Sequence, residues 1–138
     1  MKRLALLLIT NFILTATVMA DASISTTEQV VAHHMQSGND RNVEEVMRDY
    51  DDNAILISPD GVYKGKQAIR KSYEQLVAQG SDSIITADRK VFEGEVGYVA
   101  WSMNAGQGPA VHGSDTFIVK NGKIVAQTVT IFLPPPVQ

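Results

Sequence analysis

Four polar residues fall where strand or helix periodicity places apolar neighbours, and they are the candidates for chemistry. Along residues 111–120, alternation puts Val111, Gly113, Asp115, Phe117 and Val119 on one face, and Asp115 is its only charge. A carboxylate on an apolar face is expensive unless it is hydrogen-bonded, paired or protonated. Along residues 123–133, Val125, Gln127, Val129, Ile131 and Leu133 share a face on which Gln127 is the polar exception. His34 lies three and four residues after Val31 and Val30, so on a helix it joins their buried stripe. Ser58, at the end of the first predicted strand, is the fourth. If His34 and Asp115 come within hydrogen-bond reach, they form an acid–base pair of the kind an isomerase or hydrolase uses. Trp101, Met103, Phe117, Val129 and Ile131 would then line a pocket for an apolar small molecule, with Ser58 and Gln127 as polar contacts.

Other chemistries find little support. His33 and His34 are adjacent on a helix, so their side chains diverge by about 100°. His112 sits on the opposite strand face from Asp115, and no spacing resembles a zinc motif. Ser58 has no nucleophile elbow, and no glycine-rich stretch resembles a phosphate loop. Asp49, Asp51 and Asp52 lack the calcium-loop pattern and read as a solvated helix end. No metal and no cofactor is expected.

The elements that must position these residues follow from pattern. Ser25 followed by Glu28 is a capping box that opens a helix, and Gly38-Asn39 ends it. Asn42, with Glu45 three residues on, caps a second helix carrying Val43, Val46, Met47 and Tyr50 on one face. Residues 54–58 read as a strand, Pro59-Asp60-Gly61 as a turn, and Val62-Tyr63 as a short return strand. Residues 67–79 are helical, with Ile69, Tyr73, Leu76 and Val77 on one face and Gly80 as the stop. Four long strands follow, at 83–92, 96–105, 111–120 and 123–133, the last two joined by the hairpin signal Asn121-Gly122. Pro134-Pro135-Pro136 forbids further pairing. Helices against one face of such a sheet make an α+β domain with a pocket between its layers.

Composition agrees with one domain. The chain has 138 residues, a formal charge of −3 and no cysteine. The absence of cysteine excludes a disulfide framework, a thiolate metal site, a cysteine nucleophile and an acylated lipoprotein anchor. Weak acidity argues against nucleic acid as a partner, since phosphate binding needs a basic surface. Lys2 and Arg3, the apolar run 4–9 continued by Phe12-Ile13-Leu14, and Val18-Met19-Ala20 describe a secretory signal peptide over residues 1–20, cut after Ala20. Cleavage leaves residues 21–138, with 10 basic against 15 acidic residues, in the periplasm or outside the cell and free of the membrane.

Three passages carry a family resemblance. They are Gly38-Asn39-Asp40 through Tyr50-Asp51-Asp52-Asn53-Ala54; Pro59-Asp60-Gly61 with Gly65-Lys66-Gln67-Ala68-Ile69; and Gly113-Ser114-Asp115-Thr116-Phe117 with Asn121-Gly122-Lys123-Ile124. In order and spacing they resemble SnoaL-like proteins of the nuclear transport factor 2-like superfamily, which includes the ketosteroid isomerases. The resemblance covers residues 25–133 within a domain spanning 21–138. It implies a cone-shaped, strongly curved, mostly antiparallel sheet wrapped around three helices, and a homodimer formed through the sheet. It also places Asp115 where ketosteroid isomerases have an oxyanion-side aspartic acid, the handling of a protonated carboxyl in an apolar site. Ser58 falls at their general-base aspartate and His34 near their oxyanion tyrosine. Serine cannot abstract a proton near neutral pH without a base of its own, which speaks against steroid isomerisation by the usual route. The expected function is an exported pocket protein that binds an apolar small molecule, with isomerase- or hydrolase-type chemistry in prospect. The alternative is a non-catalytic dimeric interaction module whose core is closed.

Overall fold

A computed structural model describes residues 25–80, 82–104 and 109–132. The leader at 1–20, its cut after Ala20, Leu133 and the proline run lie outside the described residues. The order is α1 (Thr27–Asn39), α2 (Val43–Asp49), β1 (Tyr50–Ser58), β2 (Gly61–Lys64), α3 (Lys66–Ala78), β3 (Ile85–Glu93), β4 (Val96–Met103), β5 (Val111–Lys120) and β6 (Lys123–Phe132).

The expected elements are present with local shifts. The capping box that opens α1 sits one residue later than Ser25 and Glu28. Thr26 accepts from the Gln29 N–H at 3.2 Å, and the Gln29 side chain accepts from the Thr26 N–H at 2.8 Å. Asn42 caps α2 by accepting from the Glu45 N–H at 3.2 Å. Asn121 and Gly122, with φ of 51° and 71°, make the tight β5–β6 turn that their types predict. Tyr50, read as the end of the second helix stripe, is extended and begins β1 while staying fully buried.

The sheet corrects the expectation of a cone. It is open, with six strands in the order β2-β1-β6-β5-β4-β3. Its edges, β2 and β3, lie at opposite ends, and closure would require a closing pair between edge strands. It is also mixed, because β1 joins β6 in parallel while its other neighbours run antiparallel. The helices do not sit inside a wrap. They lie over one face, α1 against β3, β4 and β5, α3 against β1 and β2, and α2 against β6.

Alternation orients β4 and β5 as expected, with Val99, Trp101, Gly113, Phe117 and Val119 inward and buried. In β6 the expectation fails at Val125. Val119 pairs with Ile124 and Ile118 with Ala126, so Val125 is the extra residue of a bulge. Ile124 is fully buried instead, and beyond the bulge Gln127 and Val129 recover the inward face. The core joins Val30, Val31, Val46 and Met47 of the first two helices to Leu56, Ile69, Val99, Phe117 and Ile124.

Candidate functional site

A cavity of about 390 Å³ lies between the helices and the inner sheet face. Its wall includes every residue singled out from sequence: His34, Ser58, Trp101, Met103, Asp115, Phe117, Gln127, Val129 and Ile131. Val43, Val46, Leu56 and Val99 add to its apolar lining. Ile131 lines it from the end of β6 while remaining 41% exposed.

Asp115 is held by two donors. Trp101 Nε1 donates to Oδ1 at 2.9 Å, and Gln127 Nε2 donates to Oδ2 at 2.8 Å. Burial raises its pKa above the ordinary value, while these two hydrogen bonds pull it back. Both protein contacts donate to the carboxyl oxygens and so favour its ionised form against the effect of burial. The placement of the indole depends on Gly113, which faces Trp101 in register across β4 and β5. A Cβ there would lie 2.2 Å from Trp101 Cζ2.

His34 does not touch Asp115. A run of side chains separates them. His34 Nε2 is 3.1 Å from the Tyr73 hydroxyl, which is 3.4 Å from the Tyr50 hydroxyl. Tyr50 donates to Gln127 Oε1, and Gln127 donates to Asp115. The His34 ring meets the edges or faces of Tyr50, Tyr73 and Phe117 at centroid separations of 5.3, 6.0 and 5.5 Å. Burial pushes the Tyr73 pKa up to about 12 and that of Tyr50 well above its usual value, so both keep their protons.

Sequence reading treated Tyr50 and Tyr73 as apolar stripe positions and missed their place in the site. The available signal was chemical, because a tyrosine on a buried stripe needs a hydrogen-bond partner for its hydroxyl. Asp49 was missed too. It is not a solvated helix end; it is 8% exposed, and His33 Nδ1 lies 2.8 and 2.9 Å from its two oxygens. Ser58 turns away from this run. Its hydroxyl donates to Asp60, whose other oxygen accepts from Tyr63 at 2.6 Å. Those hydrogen bonds hold the Asp60 carboxyl below the usual carboxylate range.

Burial, with a smaller contribution from His33, lowers the His34 pKa from 6.5 to about 4, so the ring is neutral at pH 7. The folded protein refuses a proton that the unfolded chain accepts. This contribution is therefore present above about pH 6.5 and is lost as pH falls toward 4. The change is worth on the order of 3 kcal/mol. Asp115 and Asp49 act in the opposite sense, since burial raises both and the folded state takes their protons first. Comparing wild type with His34→Gln isolates the imidazole. Urea unfolding at pH 7 and pH 4.5 is expected to show a stability loss in wild type that the variant lacks. Equal losses would mean that the folded protein accommodates a charged His34.

The sequence matches the SnoaL-like domain family over residues 31–127. Comparison with curated protein sequences finds no match. Among solved structures, the fold is similar to a nuclear transport factor 2-like protein of unknown function from Cytophaga hutchinsonii, at 16% identity and a TM-score of 0.67, covering 80% of this chain and 94% of that one. It is similar to SalBIII, described as an epoxide hydrolase/cyclase-like enzyme in pyran ring formation in polyether salinomycin, at 20% identity and a TM-score of 0.66, covering 78% and 91%. It is also similar to TerC, crystallised with polyporic acid, at 12% identity and a TM-score of 0.69, covering 78% and 92%. At these identities the likeness concerns the fold. The family match runs from the middle of α1 to Gln127 in β6 and includes the whole run from His34 to Asp115: the chain belongs to the SnoaL-like family of the nuclear transport factor 2-like superfamily.

Proposed function

We propose that the protein binds an apolar small molecule in this cavity, with Asp115 receiving a hydroxyl or amine donor from the ligand. One observation carries the reading: a largely buried carboxylate, held by two donors, stands on the wall of a mainly apolar cavity of about 390 Å³. A carboxylate offers about four acceptor sites, and the protein uses two. The volume falls within the range of small-ligand sites. TerC, crystallised with polyporic acid, and SalBIII, described as cyclase-like, support a small-molecule role for this fold. A closed-core interaction module would leave no such cavity. Export by the residue 1–20 leader belongs to the same proposal. So does self-association through the outer sheet face, where Ile57, Val91, Tyr98 and Phe132 are exposed.

Acid–base chemistry is the second reading, favoured by a neutral His34 whose Nε2 meets the hydroxyl of Tyr73 on the cavity wall. Native mass spectrometry of the protein purified without denaturation tests the first reading. A retained small molecule is expected, lost in Asp115→Leu. No adduct, together with no response of Trp101 fluorescence to hydroxylated apolar probes, would overturn it. Once a ligand is in hand, Asp115→Asn separates the two readings. Turnover reduced about 10²-fold or more with little change in binding marks catalysis, whereas loss of binding alone marks a carrier.

A further inference from the structure

The two ring nitrogens of His34 meet different surroundings. Nε2 faces the Tyr73 hydroxyl at 3.1 Å. Nδ1 is buried without a hydrogen-bond partner among the described residues, and Asp49 Oδ2 lies 3.8 Å from it, while His33 also acts on the ring. The neutral ring carries one proton, and the place of that proton decides what Nε2 does. A protonated Nδ1 turns the positive end of an N–H toward the Asp49 carboxylate. An unprotonated Nδ1 turns a lone pair toward it. In a buried region the first arrangement is attractive and the second repulsive.

Asp49 is itself fixed in place. His33 of α1 holds both its oxygens, the Lys123 ammonium acts on it favourably from β6, and Glu45 of α2 acts unfavourably. We propose that Asp49 is a positioning residue that keeps His34 protonated at Nδ1, so that Nε2 accepts the hydroxyl proton of Tyr73. This rests on the reading of the cavity as the functional site and deepens it.

The direction of the remaining hydrogen bonds follows. Tyr73 has one proton, and it goes to His34. Tyr50 donates to Gln127 and so has none to give Tyr73 across the 3.4 Å between their oxygens. The donors therefore do not run one way from His34 to Asp115: Tyr73 donates to His34, whereas Gln127, which also hydrogen-bonds to Tyr73, donates to Asp115. With the proton on Nε2 instead, His34 would donate to Tyr73, Tyr73 to Tyr50, Tyr50 to Gln127 and Gln127 to Asp115 in one direction. The carboxylate outside the cavity thus decides whether His34 and Asp115 act as two separate polar groups or as the ends of one relay.

Long-range proton–nitrogen NMR correlation of the His34 ring, in the full chain without ligand at pH 7, reads the tautomer directly. A pyrrole-type shift at Nδ1 and a pyridine-type shift at Nε2 are expected. Asp49→Leu, which keeps the branched shape of the side chain and removes the charge, is expected to exchange the two shifts, and Asp49→Glu to restore them. A wild-type ring protonated at Nε2, or an unchanged pattern in Asp49→Leu, would overturn the proposal. Should Asp49→Leu not fold, Asp49→Ala carries the same expectation, and the wild-type spectrum still decides the tautomer. No ligand enters this measurement, so its outcome is independent of whether the cavity binds one.

Discussion

Gly113→Ala is expected to lower stability by about 3 kcal/mol and to displace the only tryptophan of the chain. The added Cβ would stand 2.2 and 2.5 Å from Trp101 Cζ2 and Cη2, and 2.5 Å from the backbone oxygen of Thr130. The indole can move only by leaving Asp115, and the carbonyl can move only by shifting β6 relative to β5, which pair along this stretch. Overpacking ordinarily costs about 1–3 kcal/mol, and a backbone obstacle on one side and a ring on the other put this site at the top of that range. The melting temperature should fall by roughly 10 °C. Because Trp101 is the sole tryptophan, its emission reports the same event, moving to longer wavelength as the ring meets water. Adding Trp101→Phe should recover part of the loss by removing the clashing ring atoms. A variant that melts within about 1 kcal/mol of wild type with unchanged emission would show that the strands absorb the extra carbon.

Gln127→Leu is expected to cost about 3–5 kcal/mol, although the two side chains are close in volume. Gln127 is 2% exposed and joins the Tyr50 hydroxyl to Asp115 Oδ2. Leucine leaves a donor and a charged acceptor without that partner, and a buried unsatisfied group costs about 1–3 kcal/mol, more when charged. Loss of the Gln127 donor also raises the Asp115 pKa further, because that hydrogen bond is one of the contacts pulling it down. A raised carboxyl pKa penalises the folded state above that pKa, so the deficit should be larger at pH 7 than at pH 4. Denaturant unfolding at the two pH values checks both the size and the sign. Tyr50→Phe in the Gln127→Leu background should return part of the loss, since it removes the stranded hydroxyl. A deficit below about 1 kcal/mol would mean that another group or water takes over both bonds.

The effects differ in how far sequence alone could foresee them. The inward face of β5, with Gly113, Asp115 and Phe117, is legible because alternation operates within a few residues. The Asn121-Gly122 hairpin, the caps and the breaks are legible for the same reason, since each is settled by neighbours along the chain. Those local signals also place His34 on a buried helix stripe and Gln127 on an inward strand face. Their order is enough for the α+β class and the family.

What decides the site acts between residues far apart in the chain. The contacts of Tyr73 with His34 and Tyr50 span 39 and 23 positions, and that of Tyr50 with Gln127 spans 77. No periodicity specifies them, because they depend on how α3 lies over β1 and how β1 pairs in parallel with β6. The bulge at Val125 belongs to the same class, since one extra residue in a pairing between strands moves Ile124 to the buried face. The open sheet does too, because closure depends on whether β2 and β3 meet, a matter of strand order and not of any strand's own residues. Local patterning by itself determined the elements, most of the inward faces and the family. Only tertiary pairing decided that the sheet stays open, that His34 and Asp115 are joined through two tyrosines and a glutamine, and that Asp49 stands buried behind the histidine. The physical reason is range: propensity and periodicity act over a few residues, whereas hydrogen-bond satisfaction in a core is settled only when distant segments pack.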